Sequence, residues 1–479
     1  MGHSNLSSIA SSRESPPRRT TPITVIDQLS NRFATRCSVG KAICLQHGTD
    51  ESHYQPVPPD AVVFAHSSAE VAYVVKLCAQ HNTPVIAFGV GSSIEGHLLA
   101  IEGGVCIDLS QMNQVLDLQT EDLTATVQAG VTRDQLNNDL AKTGFFFSVD
   151  PGANASIGGM AATSASGTNT VRYGTMRDNV LNLTVVTAEG EIIRTARRAK
   201  KSSAGYCLTQ LYIGSEGTLG IITEVTVKLH AQPEAIAAAV VNFPNVGCAV
   251  NTVIQAVQMG IPLARAEMLD ALAIKAINAH SHTTLNEVPT LFLEFCGSPA
   301  QIQEQSALVK ELSLSNDGGD FQWATLPEER TRLWSPRHHA YFASLQLKPG
   351  SRSFTTDACV PISRLAQCLT ETVADIESTG LLTPVFGHVG DGNFHCLILV
   401  DPAKPQEVAI AEQLSHRLIQ RAIAYDGTCT GEHGIGLHKI DYLEEEHGAQ
   451  TVDIMRRIKI ALDPKNILNP GKVIRINKQ

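Results

Sequence analysis

Two histidines, His388 and His395, stand seven positions apart in the stretch FGHVGDGNFHC, either side of a glycine-rich turn. Imidazoles at that spacing can work as a pair only if the chain folds back on itself, and the dipeptide Asp391-Gly392 is a strong type I′ hairpin signal. The β-rich runs TPVF and FHCLILV flank it. With Asp391 and Gly392 as the two loop residues, Gly390 pairs with Asn393, Val389 with Phe394, and His388 with His395 on one face. Cross-strand Cβ atoms lie about 4.5–5.5 Å apart, so both rings can reach one ion at about 2.0–2.1 Å per Zn–N bond. A helix is excluded by Gly390 and Gly392 between them. A third ligand has to come from elsewhere, and GTCTGEHGIG offers Glu432 and His433 on another glycine-rich turn.

A second kind of chemistry is written in small residues. The stretch DPGANASIGGMAATSASGTNTVRYG is almost wholly Gly, Ala, Ser, Thr and Asn. Low bulk lets backbone N–H groups approach a ligand, and successive amides in turns form anion-binding nests. Ile157, Met160, Val171 and Tyr173 punctuate the run with anchors that a flexible linker lacks. GVGSSIEG and GSEGTLGIIT are further small-residue loops, and the first follows a strand-like PVIAF. It is not a G-x-G-x-x-G dinucleotide fingerprint, because two extra residues precede its third glycine. Three such loops point to a large pyrophosphate-containing cofactor lying across them.

The elements that must position these residues form two textures. From about residue 60 to 230 short strands alternate with helices, giving a mixed α/β unit. SSAEVAYVVKLCAQHN opens on a capping-box pattern, Ser67 to Glu70, and places Val71, Val74, Val75 and Cys78 at helical spacing. Thr132 and Gln135 can cap a helix that Gly144 ends. From residue 233 longer segments follow: NVGCAVNTVIQAVQMG and ISRLAQCLTETVADIESTG are helical, TLFLEFCG and FHCLILV strand-like. That is an α+β unit built on an antiparallel sheet. The expected boundaries are a tail and lead-in over 1–54, a cofactor domain over 55–232, a substrate domain over 233–437 and a C-terminal segment over 438–479.

Composition narrows the class of function. The chain has 479 residues, 43% hydrophobic and 18% charged, with a formal net charge of -10. That charge argues against a nucleic-acid partner, and no run approaches the ~20 apolar residues of a membrane span. Eleven cysteines without a C-x-x-C pair suit reduced, buried thiols. The first twenty residues are rich in Ser and Arg and lack an apolar core. They read as a disordered tail, with a mitochondrial transit peptide as the alternative. The expected location is cytoplasmic, with peripheral contact to an inner membrane allowed, or mitochondrial on the alternative reading.

The ordered motifs FGVGSSIEGH, VDPGANASIGGMAATSASGTNTVRYGTMRDNV and GSEGTLGIIT resemble the FAD-binding domain of the vanillyl-alcohol-oxidase flavoprotein superfamily. GHVGDGNFH, GTCTGEHGIG, LDPKNILNPGKV and WSPRHHAYFA resemble its D-lactate dehydrogenase and glycolate oxidase branch, nearest the cytochrome-type enzymes. The likeness spans about residues 55 to 475. It implies an α+β fold: a two-subdomain PCMH-type FAD-binding domain, and a cap domain whose antiparallel sheet is covered by helices. It implies FAD, its diphosphate on loops 89–96 and 151–159. The cofactor contacts would be Gly89, Gly91, Ser92, Ser93, Gly96, Pro151, Gly152, Ile157, Gly158, Gly159, Gly167, Tyr173, Gly174, Glu216, Gly220, Ile222 and Asn469. Ser92-Ser93 departs from the Gly-Thr or Thr-Ser of relatives but keeps hydroxyl donors. Some members hold flavin covalently through a His in the first loop; here the only His of that stretch, His97, follows the turn, so non-covalent FAD is expected.

The same resemblance implies His388, His395 and Glu432 as ligands of a divalent metal, Zn or Mn, a choice the ligand set leaves open. His433 is then free as the base, and Arg337 is the partner of a substrate carboxylate. Asn393 would help position substrate. Asp391 would either orient a ligand or serve only the turn. The implied reaction is oxidation of a D-2-hydroxy acid, D-lactate first, with glycolate and D-2-hydroxyglutarate meeting the same recognition. Cytochrome c, a quinone or an electron-transfer flavoprotein would accept the electrons, and a homodimer is allowed. Rival readings are a non-haem iron oxygenase without FAD, a FAD-holding subunit active only in a complex, and a nicotinamide dehydrogenase, for which no proper fingerprint exists.

Overall fold

The computed structural model describes residues 17–52 and 54–476. The reading of the N-terminal tail therefore falls largely outside the described residues. The lead-in, expected apart from the cofactor domain, is built into it. Helix Ile23–Phe33 buries Val25, Leu29 and Phe33, and strand Cys37–Ser38 edges the first sheet. That sheet runs Cys37–Ser38, Ala61–Phe64, Val105–Asp108, Val85–Phe88, and its last three strands are parallel. Their side chains are almost all buried, as a parallel sheet covered on both faces requires. Helix Ser68–Gln80 covers one face with Val71, Val74, Val75 and Cys78 fully buried. Its cap is half of the expected box: Ser67 Oγ accepts the Glu70 N–H, while the Glu70 carboxylate turns to Arg36 and the His66 N–H. Helix Arg133–Leu140 takes its cap from Thr132 and ends four residues before Gly144.

A second sheet of five antiparallel strands, Val115–Gln119, Thr124–Gln128, Ile221–Lys228, Val180–Val186 and Ile192–Arg194, forms the other half of the domain. Ala129, Val186 and Ile221 join the core of the first sheet, so the halves share apolar contacts. Loop 89–96 leaves the carboxyl end of the parallel strand Val85–Phe88, where open α/β sheets place ligands.

The remaining unit is an eight-stranded antiparallel sheet. Its order is Gln322–Ala324, Ala235–Asn242, Thr290–Gly297, Leu263–Leu269, Val385–Gly387, Asn393–Val400, Arg352–Thr355, with Ala358–Cys359 also on Asn393–Val400. Helices Val246–Gln258, Pro299–Ser315, Ile362–Thr379 and Pro405–Ala424 pack one face; Ala271–Ser281 and Pro327–Gln346 pack the other. Every residue of Asn393–Val400 is buried for that reason.

The hairpin departs from expectation. Val385 pairs with Cys396 and Phe386 with His395, which puts His388 opposite Asn393, two positions out of the expected register. The turn is wider than two residues: the N–H groups of Asp391 and Asn393 both donate to the His388 carbonyl. Gly392 has φ +83° while Asp391 stays outside the left-handed region, so this is not a type I′ turn. The cause is a third segment. Val360 donates to the Gly392 carbonyl, and Ala358 and Cys359 pair with Phe394 and Asn393, fixing where the return strand begins. A shift of two preserves which face each side chain points to, so the histidines still share one.

The chain ends against the first domain. Lys459, in helix Ala449–Leu462, donates to the carbonyls of Thr218 and Leu468. Ile467 and Leu468 enter the parallel-sheet core, and Leu468 bridges to Val85.

Candidate active site

A cavity of about 860 Å³ lies between the cofactor half and the cap. Gly89, Gly91, Ser92, Ser93, Pro151, Gly152, Gly158, Gly159, Glu216, Gly220, Ile222 and Asn469 line it, as do Arg337, His388, His395, Glu432 and His433. Six expected contacts lie off the lining. Ile157 is fully buried in the core of the five-stranded sheet, as the inward residue of helix Ile157–Thr163. Gly96 turns against Tyr54 and Leu437, Gly167 against the Asp150 backbone, and Gly174 against Asp178. Tyr173 faces a separate groove with its hydroxyl on Cys296. Asn393 gives its amide to Asp357 Oδ1 and the Ala358 carbonyl.

The lining fits a diphosphate. Among the described residues, the N–H groups of loop 89–96 and of Gly152, Ala153 and Asn154 find no protein acceptor, so they are free to meet anionic oxygens. Glycine is needed where these loops meet. A Cβ on Gly89 would sit 2.5 Å from Ser156 Oγ, and one on Gly158 2.5 Å from the Ala129 side chain. Glu216 lines the same wall, but its carboxylate is engaged with the chain. It accepts the N–H groups of Ile435 (2.6 Å) and Gly436 (2.8 Å) and lies 3.0 Å from His97 Nε2.

On the cap side of the cavity His388 Nε2 and His395 Nε2 converge on Glu432 Oε1, at 3.4 and 3.2 Å, with the rings 5.5 Å apart and nearly perpendicular. All three donor atoms lie within 4.8 Å of one another. The other ring nitrogens are already committed: His388 Nδ1 to Glu267 Oε1 at 2.6 Å, His395 Nδ1 to the Thr356 carbonyl at 3.2 Å. That leaves both Nε2 atoms facing the shared centre, the tautomer a metal ligand needs. Glu432 Oε2 is fixed by the Ser166 hydroxyl at 2.6 Å. Burial alone would raise the Glu432 carboxyl; the two imidazoles beside it pull it well below the usual range. The donor set therefore fits a divalent cation. A second cluster, Asp357, His395 and His433, meets the same distance test. It is less suited, because Asp357 Oδ2 already accepts the N–H groups of Glu432 and His433 and the Thr430 hydroxyl, with the Lys439 ammonium 3.8 Å away.

His433 stacks parallel on His395, centroids 5.0 Å apart. Its Nδ1 lies 3.5 Å from Glu95 Oε1 and 3.9 Å from Asp357 Oδ2, in ion-pair range rather than in a formed hydrogen bond. Burial works against a charge on this ring, but Asp357 and Glu95 outweigh it and raise its pKa. Arg337, from helix Pro327–Gln346, reaches the cavity with its Nε on Glu267 Oε2 at 2.8 Å. Among the described residues its terminal nitrogens have no acceptor.

Glu267, Asp357 and Glu95 are the functional neighbours that the sequence reading missed. Glu267 had a signal: Arg265 and Glu267 alternate within the otherwise apolar strand Leu263–Leu269, so both face the cavity side. Asp357 stands in a short loop with no pattern around it, and Glu95 is the one charged residue of the glycine-rich loop 89–96.

Residues 59–196 match the FAD binding domain family, and residues 232–473 match the family of FAD linked oxidases, C-terminal domain. A probable mitochondrial D-lactate dehydrogenase of Danio rerio is 51% identical over 92% of this chain and 89% of its own. A mitochondrial D-lactate dehydrogenase [cytochrome] of Arabidopsis thaliana is 45% identical over 89% and 76%. A glycolate oxidase subunit of Bacillus subtilis is 34% identical over 88% and 90%. The solved structure of p-cresol methylhydroxylase superposes at a TM-score of 0.78 with 18% identity, over 95% of this chain and 98% of that one, a likeness of fold alone. The chain belongs to the FAD-linked oxidases. It is a flavin-dependent oxidoreductase with the PCMH-type fold, and its relatives fall in the D-lactate dehydrogenase and glycolate oxidase branch.

Proposed function

We propose that the protein oxidises a D-2-hydroxy acid, D-lactate first among them, by hydride transfer to non-covalent FAD. The observation that carries this reading is the meeting, on one cavity, of loops with free amides and the set His388, His395, Glu432, His433 and Arg337. When bound, FAD supplies the hydride acceptor and a Zn or Mn ion held by His388, His395 and Glu432 supplies a Lewis acid. Arg337 pairs its free terminal nitrogens with the substrate carboxylate, a match of planar fork to planar anion. His433 takes the hydroxyl proton, and the carboxylates of Asp357 and Glu95 hold that proton on the ring. Asn393 acts from behind: it ties the return strand to Asp357, which in turn grips the backbone of Glu432.

The relatives named as D-lactate dehydrogenases support the substrate, and those named as cytochrome enzymes support a cytochrome as electron acceptor over a quinone or an electron-transfer flavoprotein. Their mitochondrial names favour the transit-peptide reading over a cytoplasmic location. Among the described residues no helix is long and apolar enough to cross a membrane. The test is anaerobic bleaching of the bound flavin by a panel of D- and L-2-hydroxy acids. D-lactate should bleach it and L-lactate should not. Faster bleaching by glycolate or D-2-hydroxyglutarate would reassign the substrate, and no bleaching by any D-acid would overturn the reading.

A further inference from the structure

Glu267 is a fully buried carboxylate of the cap beside the site, 1% exposed on strand Leu263–Leu269. Its two oxygens serve two different partners. Oε2 accepts Arg337 Nε at 2.8 Å and Oε1 meets His388 Nδ1 at 2.6 Å. The partners come from separate elements, 70 and 121 positions along the chain. One is the arm proposed for the substrate carboxylate and the other a proposed metal ligand. Among the described residues no other side chain bonds to both Arg337 and His388.

We propose that Glu267 is the positioning residue that sets the metal-binding and anion-binding arms of the site in fixed relation. The inference rests on the roles just proposed for His388 and Arg337. The physical argument is one of acceptor count. Arg337 Nε can only donate, so it requires an acceptor on its side of residue 267. His388 can bind an ion through Nε2 only if Nδ1 carries the ring proton, so it too requires an acceptor. A carboxylate offers both at once. An amide of the same shape offers one oxygen and one NH2 group, and must present the NH2 to one of the two arms. A guanidinium cannot accept from it, whereas an imidazole can. In Glu267→Gln the NH2 group therefore turns to His388, draws the Nδ1 lone pair, and moves the ring proton to Nε2, where it blocks the ion. The metal arm fails while the anion arm keeps its oxygen.

That asymmetry is the test. Full-length protein carrying FAD is stripped of metal, and Zn²⁺ or Mn²⁺ is titrated back by calorimetry. In parallel, oxalate is titrated into the metal-free protein and followed by perturbation of the flavin spectrum. Glu267→Gln should weaken the ion about 10–100-fold, the usual effect of losing such an outer partner, and leave oxalate within about threefold. Combined with His388→Ala it should add little further loss of ion affinity, because its effect passes through that ring. Unchanged ion affinity overturns the proposal, as does a loss confined to oxalate or an equal loss of both ligands. If Glu267→Gln does not retain FAD, Glu267→Asp replaces it. It keeps two acceptors but retracts them by one methylene, so both arms should weaken together with FAD retained; no change in either would overturn the proposal. A wild-type protein that takes up no divalent ion overturns the parent reading, and this one with it, and is told apart by failing before any substitution is made.

Discussion

At the scale of single residues the site is a set of imidazoles and carboxylates whose tautomers and charges are set by partners far away in sequence. His433 stacks on His395 of the proposed ligand cluster, with two carboxylates behind its Nδ1. Its replacement by Ala should slow flavin reduction by roughly two to four orders of magnitude in stopped flow; an unchanged rate would remove it from the proton transfer. His388, His395, Glu432 and His433 were legible because paired glycines mark their turns. Asp357 was not, and Glu267 showed only as a charge on an apolar strand, since what they do lies in bonds to residues 70 or more positions away. Asp270 makes a second prediction of another kind. Its Oδ1 caps helix Ala271–Ser281 by accepting the Ala273 N–H at 2.7 Å, and burial pushes its carboxyl up to about 7. An unfolded Asp titrates near ~3.9, so the native state favours the neutral acid. The stability this gives is fully present below about pH 4 and is lost as pH rises to about 7. Asn caps as well as Asp. Asp270→Asn should thus raise the melting temperature at pH 8 and not at pH 4, and a gain that is the same at both would contradict the assignment.

Elements are where sequence patterns were most and least informative. Ser67 and Thr132 cap the helices that their spacing announces, because a cap is a contact within four residues. The hairpin is local too, yet its register follows the third segment, Ala358–Cys359, which the dipeptide Asp391-Gly392 cannot report. Gly392 is where the two meet. With φ +83° and a Cβ that would lie 2.1 Å from the Val360 carbonyl, it has no room for a side chain. Gly392→Ala should cost about 2 kcal/mol or more from strain and overpacking together, read as a lower urea midpoint, and should loosen the placing of His388. An unchanged midpoint would show that the turn can give way.

The whole molecule separates two tasks along one cavity. Loops 89–96 and 151–159 reach it from the cofactor half and the histidine cluster from the cap. Prolonged chelation should therefore abolish turnover while the yellow colour still elutes with the protein. Turnover that survives chelation would argue against a metal, and joint loss of flavin would argue against separate tasks. The change of texture near residue 233 falls just before the cap strand Ala235–Asn242; the order of the eight cap strands was not legible, because it depends on pairings between segments distant in the chain, such as Met268 with Gly387.

The segment from Thr430 to Lys439 is gripped by three carboxylates: Glu95 takes Lys439, Glu216 takes Ile435 and Gly436, and Asp357 takes Glu432 and His433. Two of them belong to the first half of the chain and one to the cap, so Glu432 has no settled place until both units have formed and closed on each other. Closing loops of that length is slow relative to local structure. On the proposed reading of Glu432 as a metal ligand, readiness to take up an ion thus becomes a late event in folding, and metal capture a marker of the finished molecule. On a ribosome, the first two hundred residues would emerge able to begin a flavin site long before the other half of the chemistry exists.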